Sequence, residues 1–234
     1  MSTPSAAPPP LKSSQPTTPQ TTWLQPLGLT RDNQTWTYIH PNGHRFPVSV
    51  TGLIGKVTKS DKQLEAFKAT QHEWEPRGNT LHQTLEAFVN QRWNPNPPPD
   101  LKAPPPGNYQ DWIVPLLGSP LWDRITVVGS EVMAYSLRRN VAGTADLVIQ
   151  FQDGSYGIAD LKTQSSKNST PYDTKPQLGA GVEMIGDLYG LYITRCLTLW
   201  SRPGSLTIQT HTADECLLAW LNVCEEYAAR FRPF

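Results

Sequence analysis

Cysteine is scarce in this sequence: three residues, Cys196, Cys216 and Cys224, in a chain of 234, with no CxxC spacing among them. That excludes a disulfide scaffold and a four-cysteine iron–sulfur cluster, and it predicts free thiols in a reducing compartment. Net charge is lacking too, since 20 Lys and Arg balance 20 Asp and Glu. No global field therefore steers the chain toward a polyanion, although a local basic groove beside an acidic site would give the same sum. Long apolar runs and a signal-peptide pattern are missing as well, which predicts no membrane partner and a cytoplasmic location. Residues 1–21 are Pro, Ser, Thr and Gln with almost no large apolar side chain. Such a segment cannot bury enough surface to offset its ordering entropy. It is expected as a disordered tail with room for a protein-binding motif, and 22–234 as the folded domain.

What is present reads as alternating strands and helices. Asn42-Gly43 between alternating flanks predicts a hairpin of strands 35–39 and 45–50, with His40 and His44 as exposed turn residues. Ser60 caps a helix expected to reach Trp74, and Pro76-Arg77-Gly78 should interrupt it. Asn79 or Thr80 then caps a second helix whose Leu81, Leu85, Phe88 and Val89 form an apolar stripe. His82 and Glu86 lie beside that stripe four residues apart. They admit two readings: a histidine satisfied by Glu86, or a metal ligand whose other nitrogen Glu86 accepts. The proline-dense stretch 94–107 predicts a surface loop, followed by a short helix over 109–117. Strands over 125–128 and 131–137, a hairpin, a helix over 177–192, strands over 193–200 and 205–210 and a terminal helix over 213–231 complete the order. It predicts an α/β fold with a mixed central sheet flanked by helices.

The hairpin around Asp153-Gly154 carries the chemistry. In its second strand Ile158, Asp160 and Lys162 share a face; in its first, Asp146 and Val148 oppose Leu147 and Ile149. Whether the aspartates meet depends on the turn. A two-residue loop would put them on different faces, whereas a three-residue loop over 153–155 would set Asp146 opposite Lys162 and Val148 opposite Asp160. Glu131 would join the same face opposite Val148 if Leu137 pairs with Ala142. Two carboxylates this close repel unless one is protonated or a cation lies between them. Hard oxygen donors suit Mg²⁺ or Mn²⁺, and such an ion acidifies a bound water and polarises a phosphoryl group.

Asp146 followed by Asp160-x-Lys162 after a hairpin turn resembles the PD-(D/E)xK nuclease superfamily. The wording Gly143-Thr144-Ala145-Asp146 and Ile158-Ala159-Asp160-Leu161-Lys162-Thr163 is similar to its RecB-like exonuclease branch. Arg77-Gly78-Asn79-Thr80-Leu81-His82 resembles the helix that supplies a metal-ligating histidine there. Pro47-Val48-Ser49-Val50-Thr51 resembles a stretch of the mitochondrial genome maintenance exonuclease group, and Pro176-Gln177-Leu178 the start of a Gln-hydrophobic-x-x-Tyr helix. The sequence departs from that last motif, with Gly181 in the tyrosine position. The resemblance implies a restriction-endonuclease-like fold and a Mg²⁺ or Mn²⁺ held by His82, Asp146, Asp160 and the carbonyl of Leu161. It further implies Lys162 as the group serving the water, with Glu131 and Gln177 in support.

Together these readings predict a metal-dependent phosphodiesterase acting on nucleic acid, a DNA exonuclease preferring single-stranded ends. An endonuclease built on the same site and a non-catalytic nucleic-acid-binding module are the alternatives. Arg138 and Arg139 are candidates for phosphate contact or plain solvation. Trp74 and Trp93, which bracket the His82 helix, are candidates for base stacking, because a neutral chain has no surplus of Lys and Arg for duplex phosphates.

Overall fold

The computed structural model describes residues 22–32 and 34–231. The N-terminal segment expected as a disordered, partner-binding tail lies outside the described residues. The fold is α/β. Five strands, β3 (Ile125–Ser136), β4 (Val141–Phe151), β5 (Tyr156–Thr163), β6 (Ile193–Arg202) and β7 (Ser205–Thr212), form one sheet in the order 3-4-5-6-7. All neighbours are antiparallel except β5 and β6, which run parallel. A parallel pair needs a crossover, and α5 (Lys175–Tyr189) supplies it. A two-stranded sheet of β1 (Thr30–Asp32) and β2 (Thr37–Ile39) stands apart.

Helices cover both faces. On one, α1 (Val50–Thr58), α5 and α6 (Ala213–Phe231) pack with Val148 and Ile158. On the other, Leu81, Leu85 and Val89 of α3 (Gln71–Trp93) and Ile113 and Leu116 of α4 (Gln110–Leu117) meet Leu147, Ile149, Ala159 and Leu161. From Leu147 to Ile149 and along β5 this alternation divides the two cores, but Val141, Gly143 and Ala145 lie on the same side as Val148, so the parity of β4 breaks at Asp146. Cys196, Cys216 and Cys224 are buried and unpaired. No helix among the described residues is long and apolar enough to cross a membrane.

Besides an unexpected β1 and a β3 that runs unbroken where the sequence predicts two strands, local order departs from the sequence reading at two places. The stretch 45–50 is not a strand: only Arg45 bridges Ile39, and Ser49 becomes the N-cap of α1, its hydroxyl accepting the Gly52 N–H at 3.1 Å. A local capping bond thus outcompetes the alternating pattern. The helix break falls at Thr70, between α2 (Asp61–Ala69) and α3, and not at Pro76-Arg77-Gly78. Pro76 sits six residues into α3 and is tolerated because tertiary contacts hold that turn. The Thr80 hydroxyl donates to the Pro76 carbonyl at 2.8 Å, and the buried Arg77 donates to the Thr163 hydroxyl at 3.2 Å.

The glycines of α5 have a packing reason. A Cβ on Gly179 would lie 1.9 Å from the Cys216 carbonyl oxygen, and one on Gly181 3.1 Å from Ile158. Bare backbone lets α5 approach α6 and β5 together. A side chain at position 181 would press on Ile158, which must give by a few tenths of an ångström to admit it.

Candidate metal centre

The turn between β4 and β5 decides the site. Phe151 and Ser155 close it, the Phe151 N–H donating to the Ser155 carbonyl and the Gly154 N–H to the Phe151 carbonyl, both at 2.9 Å. The loop is Gln152 to Gly154, with Gly154 at φ 83°. That is a three-residue hairpin with a left-handed glycine, one residue earlier than the reading over 153–155. The even offset survives, although the ladder stops at Leu147 and Ala159, short of both aspartates, and the partners shift. Leu147 pairs with Ala159 and Val148 with Ile158, which brings Asp146 to the level of Asp160 and not of Lys162.

Glu131 arrives by a similar correction. Ser136 pairs with Val141, Val132 with Ala145 and Ser130 with Leu147, so Glu131 lies at the level of Asp146 and not of Val148. Its own backbone is left-handed, φ 48°, beside a strand irregularity. A non-glycine residue in that region costs on the order of 1–2 kcal/mol, a strain typical of positions where a side chain is aimed for use.

Three donors converge. His82 Nδ1 lies 3.5 Å from Asp146 Oδ2 and 3.6 Å from Glu131 Oε1. The ligand atoms of the three residues all fall within 4.8 Å of one another. Those separations are long for hydrogen bonds and short enough for one ion to touch all three. Asp160 stands beside this triad, tied elsewhere: Lys162 Nζ is 2.8 Å from its Oδ2, and Gln177 donates to its Oδ1 at 2.7 Å. Lys162 also donates to Gln177 Oε1 at 2.9 Å. Asp160 Oδ2 is buried, and the Lys162 ammonium 2.8 Å away is the charge that faces it.

Leu161 contributes its amide, which donates to Asp146 Oδ2 at 2.7 Å, while its side chain belongs to the opposite core. Among the described residues no hydrogen bond joins Glu86 to His82, so Glu86 acts neither as the satisfying partner nor as the acceptor of the second ring nitrogen here, although it lines the same cavity.

Charges in the cluster lean on one another. Burial disfavours a charged His82, but Asp146 and then Glu131 outweigh it and hold its pKa at about 9. Burial raises Asp146, with Glu131 adding and His82 opposing. Burial also pushes Asp160 up to about 6 against the pull of Lys162. Although burial works against the Lys162 ammonium, Asp160 keeps its pKa above the usual lysine range. A divalent ion would reverse the logic for His82, displacing its proton and taking over the neutralising charge.

The triad opens into a cavity of about 480 Å³. Gln177 lines it, but the other sequence candidates for substrate contact do not. Arg138 and Arg139 both bind Glu183, at 2.7 and 2.8 Å, and Trp220 Nε1 donates to the same carboxylate at 2.6 Å. Both arginines meet a buried acid on α5, with the Arg138 side chain still 73% exposed. Trp93 packs edge-on to Phe88 and against Trp122, and Trp74 stacks on Phe67 at 4.3 Å. Both are roughly 12 to 17 Å along α3 from His82 at 1.5 Å per residue, so neither reaches the cavity. The aromatics that do line it are Trp36 and Tyr38. They were not singled out from the sequence, because only tertiary docking of the β1–β2 hairpin brings them there. His40 and His44 stay away from the triad, packing on Tyr135 and on Phe46 respectively.

No family model and no curated protein matches this chain. Among solved structures it is similar to SSO0001, known from a crystal structure, over 77% of this chain and 74% of that one. The identity is 15% and the TM-score 0.42.

Proposed function

We propose that this protein is a Mg²⁺- or Mn²⁺-dependent phosphodiester hydrolase of nucleic acid, a DNA exonuclease preferring single-stranded ends, on a restriction-endonuclease-like fold of the PD-(D/E)xK type. The observation that carries the reading is the convergence of His82, Glu131 and Asp146 next to the Asp160–Lys162–Gln177 cluster on one cavity. His82, Glu131 and Asp146 would hold the ion, with Asp160 beside them holding Lys162. Two carboxylates suit Mg²⁺ and Mn²⁺ alike, and the imidazole favours Mn²⁺ of the two. When bound, the ion supplies charge neutralisation at the phosphoryl group and a more acidic water.

The remaining roles belong to the chain itself. Lys162, fixed by Asp160 and Gln177, presents its ammonium to an attacking water or to the charge that develops on the phosphoryl oxygens. Water oxygen bonds to phosphorus as the bridging P–O bond breaks, and the departing oxygen takes a proton. Gln177 keeps Lys162 in place by accepting from it while donating to Asp160. A cytoplasmic location belongs to the same reading, supported by three buried thiols left unpaired.

The test uses end-labelled DNA and RNA, as linear single strands, circular single strands and blunt duplexes, with Mg²⁺, Mn²⁺ or chelator. Cleavage of linear single-stranded DNA only with metal is expected. Equal cleavage of the circle would replace the exonuclease by an endonuclease, and no cleavage of any substrate would overturn the proposal.

A further inference from the structure

The cavity wall is acidic, with Glu86, Glu131, Asp146 and Asp160 lining it. On its rim stands a different chemistry. Trp36 is 56% exposed and lines the cavity, and the Arg31 guanidinium lies over its ring, 4.8 Å from the centroid. Arg31 also lines a second, adjoining cavity with Glu86 and Glu131.

The hairpin that carries the pair is fastened to the sheet. Tyr38 is buried, packs with Leu29, Phe46 and Ala142, and its hydroxyl bonds the Thr144 hydroxyl at 2.8 Å, two residues from Asp146. Its turn is set by Asp32 Oδ1, which accepts the N–H groups of Gln34 and Thr35 at 2.9 and 3.3 Å. Trp36 ends that turn at φ 54°, a backbone that glycine or asparagine adopts far more readily. A large indole at a strained position, left open to water instead of packed, is poorly explained by stability. A flat apolar face with a cation behind it, held at the mouth of a site, matches the needs of an unpaired base on a polyanionic strand.

We propose that Trp36, backed by Arg31, is a stacking platform for an unpaired base of a single-stranded nucleic acid entering the His82–Asp146 cavity. The inference rests on the nuclease reading for the identity of the ligand but is separable from it by experiment. Base stacking demands a strand whose bases are free, so the platform selects single strands over duplex and does not read sequence. Arg31 adds attraction for phosphate where the surrounding wall is negative.

The test measures binding of a fluorescent oligothymidylate to the full chain in Ca²⁺ by anisotropy, alongside an abasic strand of the same length and a blunt duplex. Trp36→Asn, which suits the left-handed backbone, should weaken oligothymidylate binding roughly tenfold, and Trp36→Phe should stay within about threefold of the parent, as expected for loss or retention of one stacked base. The abasic strand and the duplex should be indifferent to both changes. Parent-like binding by Trp36→Asn, an equal loss on the abasic strand, or no single-strand binding by the parent would each overturn the proposal. Metal-dependent cleavage combined with indifference to Trp36 removes the platform alone. Trp36-dependent binding without cleavage in Mg²⁺ or Mn²⁺ removes the nuclease reading alone.

Discussion

Asp146 accepts the backbone N–H of Leu161 at 2.7 Å, two residues past Ala159, where the β4–β5 ladder ends. A side chain there satisfies an amide that a regular ladder would give to a backbone carbonyl. The strands can part there while the amide remains paired, and His82 of α3 meets the same carboxylate at 3.5 Å. The same Oδ2 atom meets both the amide and the imidazole, so the site is coupled to the hairpin that builds it.

Under the proposed mechanism Lys162→Ala should lower turnover by on the order of a hundredfold or more while metal still binds at His82, Glu131 and Asp146, since it removes the ammonium placed at the reacting atoms and not one of the converging donors. It should also destabilise the fold, because Asp160 loses the ammonium 2.8 Å away. Single-turnover rates, metal titration and thermal melting on one preparation check all three. A parent-like rate would remove Lys162 from its role.

His82→Ala takes away one of three converging donors. Metal affinity should fall about 10- to 100-fold or more, and excess Mn²⁺ should restore part of the activity. Glu131→Gln should behave alike. Calorimetric titration with Mn²⁺ decides it: an unchanged isotherm in both variants would mean that the ion, if any, binds elsewhere.

The pH dependence follows from His82. Its pKa in the folded metal-free protein is raised to about 9 from an ordinary 6.5. Protonation therefore stabilises the metal-free fold fully below pH 6.5, and that contribution is lost as pH rises through 9. Metal must displace the same proton, so apparent affinity should rise across this window with proton release. Melting in chelator from pH 6 to 10 should show a decline that His82→Gln abolishes, and titrations in buffers of different ionisation enthalpy should count the proton.

Gly179→Ala places a methyl 1.9 Å from the Cys216 carbonyl oxygen. Backbone cannot yield as a side-chain end does, so α5 and α6 must separate, at a cost of about 3 kcal/mol. The midpoint of thermal melting should drop by roughly 10 °C, an estimate for a domain of this size. An unchanged midpoint would mean that the helix contact is looser than its geometry.

Much of this protein was written locally. The order of the sheet strands, the crossover between β5 and β6, and the odd-length loop that brings Asp146 to the level of Asp160 follow from side-chain period and turn signals, both properties of neighbouring residues. Register within a parity was not local. Whether Asp146 faces Lys162 or Asp160, and whether Glu131 faces Val148 or Asp146, turned on which residue closes each loop, and glycine at 154 with Ser136 paired to Val141 decided it. The partners of long polar side chains were further from reach. Arg138 and Arg139 from the β3–β4 loop and Trp220 from α6 close on Glu183 of α5, and Trp36 meets the cavity only because Tyr38 docks on Thr144, 106 residues away in sequence. Pattern along a chain constrains which face a residue takes. Which charges neutralise one another is set by the three-dimensional packing, because ion pairs and ring contacts act over a few ångströms of space with no regard for distance along the chain.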